Sequence, residues 1–266
     1  MHYTRPVNQI ADLLGAGGPL ARALDGFNPR RDQQVMAAAV ADALDSRSAL
    51  VVEAGTGTGK TFAYLVPALQ SGLKVLISTG TKNLQDQLYT KDLPAVRDAL
   101  GVPVSVALLK GRANYLCPQR LEQAQVSGRF DSRERARDFA KIKQWAAATV
   151  DGDVVEVEGV PEDSSVWPWV TSTAENCLGA KCPHYDDCFV LNARRRALAA
   201  DVVVINHHLL FADLVLKEAG FGELLPGADA VIVDEAHQLA ETASQFFGTV
   251  VTGRQLSDLA RDATSR

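Results

Sequence analysis

The chain has 266 residues, of which 47% are apolar and 22% charged, with a net charge of -5; it can bury a sizeable core and is too apolar to be disordered throughout. At roughly 150 residues per domain its length fits one core with an insertion, and its charge excludes binding polyanions by bulk attraction. Four cysteines are too few for a secreted disulfide scaffold, and no leader or apolar run near the ~20 residues of a bilayer span is present, so the expectation is a cytoplasmic protein with reduced thiols and no membrane partner.

In chain order, the Gly-rich patch at 15–18 predicts a turn between N-terminal helices. Residues 27–44 are Ala-rich with few breakers after Pro29 and predict a helix. Five short runs rich in Val, Ile or Leu come next, at 49–53, 74–79, 104–109, 201–206 and 230–234, separated by helical patterns. Runs with little alternation are how strands covered on both faces read, so the fold class is α/β with a parallel sheet.

The stretch from Lys110 to about Ala200 breaks this rhythm and holds all four cysteines and all three tryptophans. Residues 110–143 carry nine basic and four acidic side chains, whereas 151–187 carry one basic and nine acidic. The expected division is 1–109 for the first part of the core, 110–200 for an inserted piece, and 201–266 for the continued core and the start of a further region.

The sharpest motif is Ala54-Gly55-Thr56-Gly57-Thr58-Gly59-Lys60-Thr61, between an apolar run and the helical pattern at 62–69. This is the sequence context of a P-loop: glycines let backbone N–H groups and a helix N-terminus face phosphates, Lys60 reaches the β and γ phosphates, and Thr61 gives its hydroxyl to Mg²⁺. A second motif, Val231-Ile232-Val233-Asp234-Glu235-Ala236-His237, ends an apolar run in paired carboxylates 174 residues after Lys60. Beside a P-loop, Asp234 is the candidate for holding Mg²⁺ and Glu235 for orienting or deprotonating the attacking water. The cysteines, Cys117, Cys177, Cys182 and Cys188, leave gaps of 59, 4 and 5 residues. Reduced thiols gathered in one insertion point to a metal site, either structural zinc or an iron–sulfur cluster.

Together these motifs resemble the superfamily 2 iron–sulfur DNA helicases of the DinG, YoaA and XPD type. Asp234-Glu235-Ala236-His237 is similar to their DEAH box, and Ser78-Thr79 with Leu84 to Leu88 resembles the motif after their second strand. Phe27, Arg30, Gln33 and Met36 resemble the adenine-proximal motif, with Arg30 and Gln33 as nucleotide contacts and Phe27 and Met36 as packing. The segment 110–117, the three clustered cysteines and Asn206-His207-His208 complete the likeness. It implies a RecA-like domain interrupted by a 4Fe-4S domain on Cys117, Cys177, Cys182 and Cys188, with ATP and Mg²⁺ held by the P-loop, Asp234 and His237.

The resemblance also implies 5' to 3' movement on single-stranded or forked DNA, with replication or repair proteins as a partner class. Lys110, Arg112, Arg120, Arg133 and the triplet Arg194 to Arg196 are then candidate phosphate contacts, and binding should weaken with salt. Arg112 is alternatively placed to neutralise the cluster. Tyr115, Trp167 and Trp169 are candidates for base stacking, with the tryptophans read as core. A complete helicase of this type needs a second RecA-like domain, so the chain reads as an N-terminal portion that binds nucleotide with little turnover, an arginine finger being worth about 10³–10⁵ in rate. The alternatives are a nucleotide- or DNA-binding module without motor activity, and a redox-responsive regulator.

Overall fold

A computed structural model describes residues 7–248 apart from Thr56, Arg129, Phe221 and Gly222. Thr56, expected in the phosphate loop, and the part of 201–266 beyond residue 248 lie outside the described residues. The chain starts with helices α1 (Val7–Leu13), α2 (Pro19–Ala23) and α3 (Arg31–Ser46), the first two joined by the expected turn at Gly15 to Gly18. Helix α4 (Lys60–Gln70) follows the phosphate loop, then come strand β1 (Val75–Thr79), helix α5 (Lys82–Gln87) and helix α6 (Leu93–Leu100). A π-helical turn, Leu88–Asp92, joins α5 to α6, so these run as one widened helix. Strand β2 (Val106–Leu108) ends the first part of the sheet.

Past β2 the chain leaves the sheet and forms α7 (Pro118–Ser127), α8 (Arg133–Ala146), the short α9 (Trp167–Val170) and α10 (Phe189–Ala199). It returns as β3 (Val202–Asn206), α11 (His207–Glu218), β4 (Ala230–Val233) and α12 (Leu239–Phe247). The four strands are parallel in the order β2-β3-β1-β4. Among the described residues, no helix is long and apolar enough to cross a membrane.

The sheet is covered on both faces, as its unalternating strands require. Val75, Ile77, Val202 and Val204 point into a core shared with α1, α3, α4 and α6. Leu76, Val203 and Ile205 point the other way, against Ala193 and Ala197 of α10 and Leu209 of α11. Residues between β2 and β3 build a third cluster, around Leu116, Phe139, Ile142, Val166 and Trp167, with Trp145 and Trp169 packed on its rim. The tryptophans are therefore core, as their sequence context suggests.

One expected strand does not form. Residues 49–53 adopt no strand, and Val51 is 95% exposed. A cavity of about 670 Å³ lies between this run and β4, lined by Leu50, Val52 and Glu53 on one side and Val231 to Glu235 on the other. Apolar β-branched residues favour a strand only where a neighbouring edge is within pairing distance, and across this cavity none is. The other four runs are strands, each within two residues of its expected bounds.

Candidate nucleotide site and cysteine cavity

Three strand ends meet at the C-terminal edge of the sheet, where open α/β sheets bind their ligands. The phosphate loop reaches this edge from below α4. Gly57 and Gly59 have φ of 79° and 80°, left-handed conformations that glycine adopts without penalty. They turn the loop into the N-terminus of α4, whose first residue is Lys60. Within the loop the Lys60 Nζ donates to the Ala54 carbonyl at 3.0 Å and the Thr58 hydroxyl to the Gly55 carbonyl at 2.9 Å. Gln33 of α3 is buried, and its amide donates to the Gly59 carbonyl at 3.0 Å. Its Oε1 has no hydrogen-bond partner among the described residues, whereas Arg30 is exposed at the start of α3.

A residue not singled out in the sequence joins the two motifs. Tyr64 lies on α4 one turn beyond Lys60 and Thr61, and its buried hydroxyl donates to Asp234 Oδ2 at 3.1 Å. Thr61 lies on the same helix, three residues before Tyr64. Burial, and then the Asp234 charge, push the Tyr64 hydroxyl well above its ordinary value, which keeps it a donor. The spacing from Lys60 to Tyr64 was the available signal, since residues four apart share a helix face.

Asp234 is further held by its own N–H, which donates to the Ser78 carbonyl at 2.9 Å. Glu235 comes next with φ 55° and ψ 43°, a left-handed backbone uncommon for a residue with a side chain. The exposed His237 lies 3.3 Å from the Glu235 carboxylate. Behind these residues the His207 imidazole is fully buried, its Nδ1 2.7 Å from the Ser78 hydroxyl. Burial lowers its proton affinity, and the backbone of Asp234 and Glu235 pulls the other way. A buried amide network continues this array: Asn206 donates to Gln85 Oε1 at 3.4 Å, and Gln85 donates to the carbonyls of Leu109 at 2.9 Å and Val204 at 3.2 Å.

The four cysteines line one cavity of about 300 Å³, together with Arg112, Arg120 and Arg194 and no carboxylate. Cys117 caps the N-terminus of α7 and Cys188 that of α10. Burial raises the Cys117 thiol, and the neighbouring Cys182 and Cys188 raise it further. Arg194 has its proton affinity lowered by burial and by Arg112. Among the described residues, no group of three His, Cys, Asp or Glu side chains is gathered closely enough to hold a single metal ion.

Two expected DNA contacts are corrected here. Lys110 is buried, its Nζ 2.6 Å from Asp86 and 2.7 Å from Asp153, so it has no free charge for a phosphate. Tyr115 is buried too, its hydroxyl accepting from the Lys110 N–H at 3.1 Å, and it offers no face for a base. Both anchor the cysteine-bearing segment to the core. Of the remaining basic candidates, Arg120 donates to the Pro168 carbonyl and Arg196 pairs with Asp151 at 2.9 Å, while Arg133 and Arg195 are exposed.

A parallel sheet with a phosphate loop leading into a helix and an Asp-Glu pair at a strand end defines a P-loop nucleotide-binding fold. The chain carries a DEAD/DEAH box helicase domain, the family's description matching residues 32–137. Over 96% of its length it is 53% identical to the ATP-dependent DNA helicase YoaA of Haemophilus influenzae and 55% identical to that of Escherichia coli. Over 92% of its length it is 39% identical to the ATP-dependent helicase DinG of Mycobacterium tuberculosis. The chain spans 40% of the length of each of these relatives.

Proposed function

We propose that this chain is the nucleotide-hydrolysing part of an ATP-dependent DNA helicase of the YoaA and DinG kind, acting 5' to 3' on single-stranded or forked DNA in the cytoplasm. The observation that carries the proposal is the hydrogen bond from Tyr64 of α4 to Asp234, which ties the helix that opens with Lys60 and Thr61 to the DEAH segment. Backbone N–H groups from Ala54 to Gly59 and the N-terminus of α4 would face the phosphates, with Lys60 turning from Ala54 to the β and γ phosphates. Thr61 and Asp234 would hold Mg²⁺, which neutralises charge on those phosphates. Glu235 then orients the attacking water and takes its proton, and Gln33, with an unpartnered oxygen beside Gly59, reads the base with Arg30. His237 sits over the carboxylate of Glu235 and limits its swing.

We also propose a 4Fe-4S cluster on Cys117, Cys177, Cys182 and Cys188, in an inserted domain spanning residues 110–200. A lone zinc ion draws thiolates to about 2.3 Å. These four thiols instead stand around a cavity, with arginines and two helix N-termini to offset thiolate charge, which favours a multi-atom cluster. DNA contact falls to exposed arginines such as Arg133 and Arg195 and makes binding salt-dependent.

The test is hydrolysis by the complete protein with and without single-stranded DNA. DNA should stimulate turnover, and Lys60→Ala and Glu235→Gln should each lower kcat by about a hundredfold or more. Turnover indifferent to both substitutions would exclude the reading.

A further inference from the structure

His207 does not line the nucleotide cavity. A fully buried imidazole is costly where an apolar side chain of similar size would pack, so its polar atoms call for an explanation. Nδ1 is satisfied by the Ser78 hydroxyl at 2.7 Å, but Nε2 has no partner among the described residues. The ring stands at the start of α11, where β3 ends beside β1, the strand that also pairs with β4. Ser78 also accepts the Asp234 N–H, and the next residue, Glu235, is the one point of the DEAH segment where a residue with a side chain takes a left-handed backbone.

The surroundings fix the ring. The Asn206 side chain caps α11 by accepting from the Leu209 N–H at 2.9 Å and is bonded to the buried Gln85. Ser78 reaches His207 through its hydroxyl and Asp234 through its carbonyl, so one residue of β1 touches both. Where Nδ1 accepts from Ser78, the proton of a neutral ring is on Nε2, the buried nitrogen without a partner among the described residues.

We propose that His207 is a positioning residue for ATP hydrolysis: Nε2–H donates to a carbonyl of the Asp234–Glu235 turn as it closes on nucleotide, holding the left-handed backbone that aims both carboxylates. The proposal rests on the hydrolytic reading above. It places the ring outside contact with substrate, so its effect belongs in kcat and not in nucleotide affinity.

Asparagine places an amide nitrogen where Nδ1 lies, whereas glutamine places one where Nε2 lies. In the complete protein with DNA, His207→Leu and His207→Asn should lower kcat by about 10-fold to 100-fold, with the KM for ATP within about threefold of wild type. His207→Gln should recover kcat to within about fivefold of wild type. Should His207→Leu not fold, the comparison of the Gln and Asn variants decides: a clear advantage for Gln supports the proposal, and equal kcat values overturn it. Wild-type kcat in the Leu variant, or losses that follow the melting temperature in all three, would also overturn it. A wild-type protein without turnover removes the hydrolytic reading and this inference together, whereas turnover insensitive to His207 removes the inference alone.

Discussion

Lys110 shows how far a single side chain can depart from what its neighbourhood in the sequence suggests. In a basic stretch it reads as a surface charge, yet its ammonium is buried between Asp86 of α5 and Asp153 of the segment past β2. Deleting one partner of a buried ion pair leaves the others uncompensated. Lys110→Met should therefore destabilise the protein by about 2–4 kcal/mol, below the upper range for such pairs because Asp86 keeps some contact with water. Urea unfolding of the two proteins measures this, and an unchanged midpoint would show that the pair contributes nothing net. Placement was legible where spacing is stereotyped: Lys60 and Thr61 open α4, and Asp234 and Glu235 follow β4. It was illegible for Lys110, Tyr115 and His207, because burial depends on partners 24 to 129 positions away, such as Asp86 and Ser78.

At the scale of elements, β2 and β3 are tied where they begin by Asp201 and Ser105. The Asp201 carboxylate accepts from the Ser105 N–H at 2.8 Å and its hydroxyl at 2.6 Å. The hydroxyl first, and then the N–H, hold this carboxyl below its ordinary value of 3.8. A depressed folded-state value means that the stabilisation is complete above the unfolded value and is lost as pH falls through the folded one. Wild type should therefore be more stable than Asp201→Asn at neutral pH, with the two unfolding midpoints converging as pH drops below 3.8. Midpoints that fall in parallel would refute this role. The same scale explains which strands could be read in advance. The runs that became β1 and β3 are packed on both faces, so composition alone marks them. The run at 49–53 has the same composition, but a strand also needs an edge to pair with, and composition does not report where the edges are.

For the whole molecule, the cysteine cavity and the nucleotide site are lined by different residues. If the cavity holds an iron–sulfur cluster, protein purified without oxygen should carry iron and acid-labile sulfide in equal amounts. Cys177→Ser should lose both while nucleotide affinity stays within about threefold, because the phosphate loop draws no residue from the cavity. Stoichiometric zinc without sulfide would be the opposite result.

Helix α10 gives this arrangement a mechanical character. Cys188 caps one end, and at the other the chain passes through Ala200 and Asp201 directly into β3. Its 11 residues form a rod of about 16 Å, seated on the sheet by Ala193 and Ala197. The crossover that closes the fold between β2 and β3 is thus also the strut that bears one thiol. Excising residues 110–200 would remove the strut along with its load, so the segment cannot be treated as a detachable accessory. Cys188 and His207 thus stand at the two ends of one continuous path, α10 followed by β3.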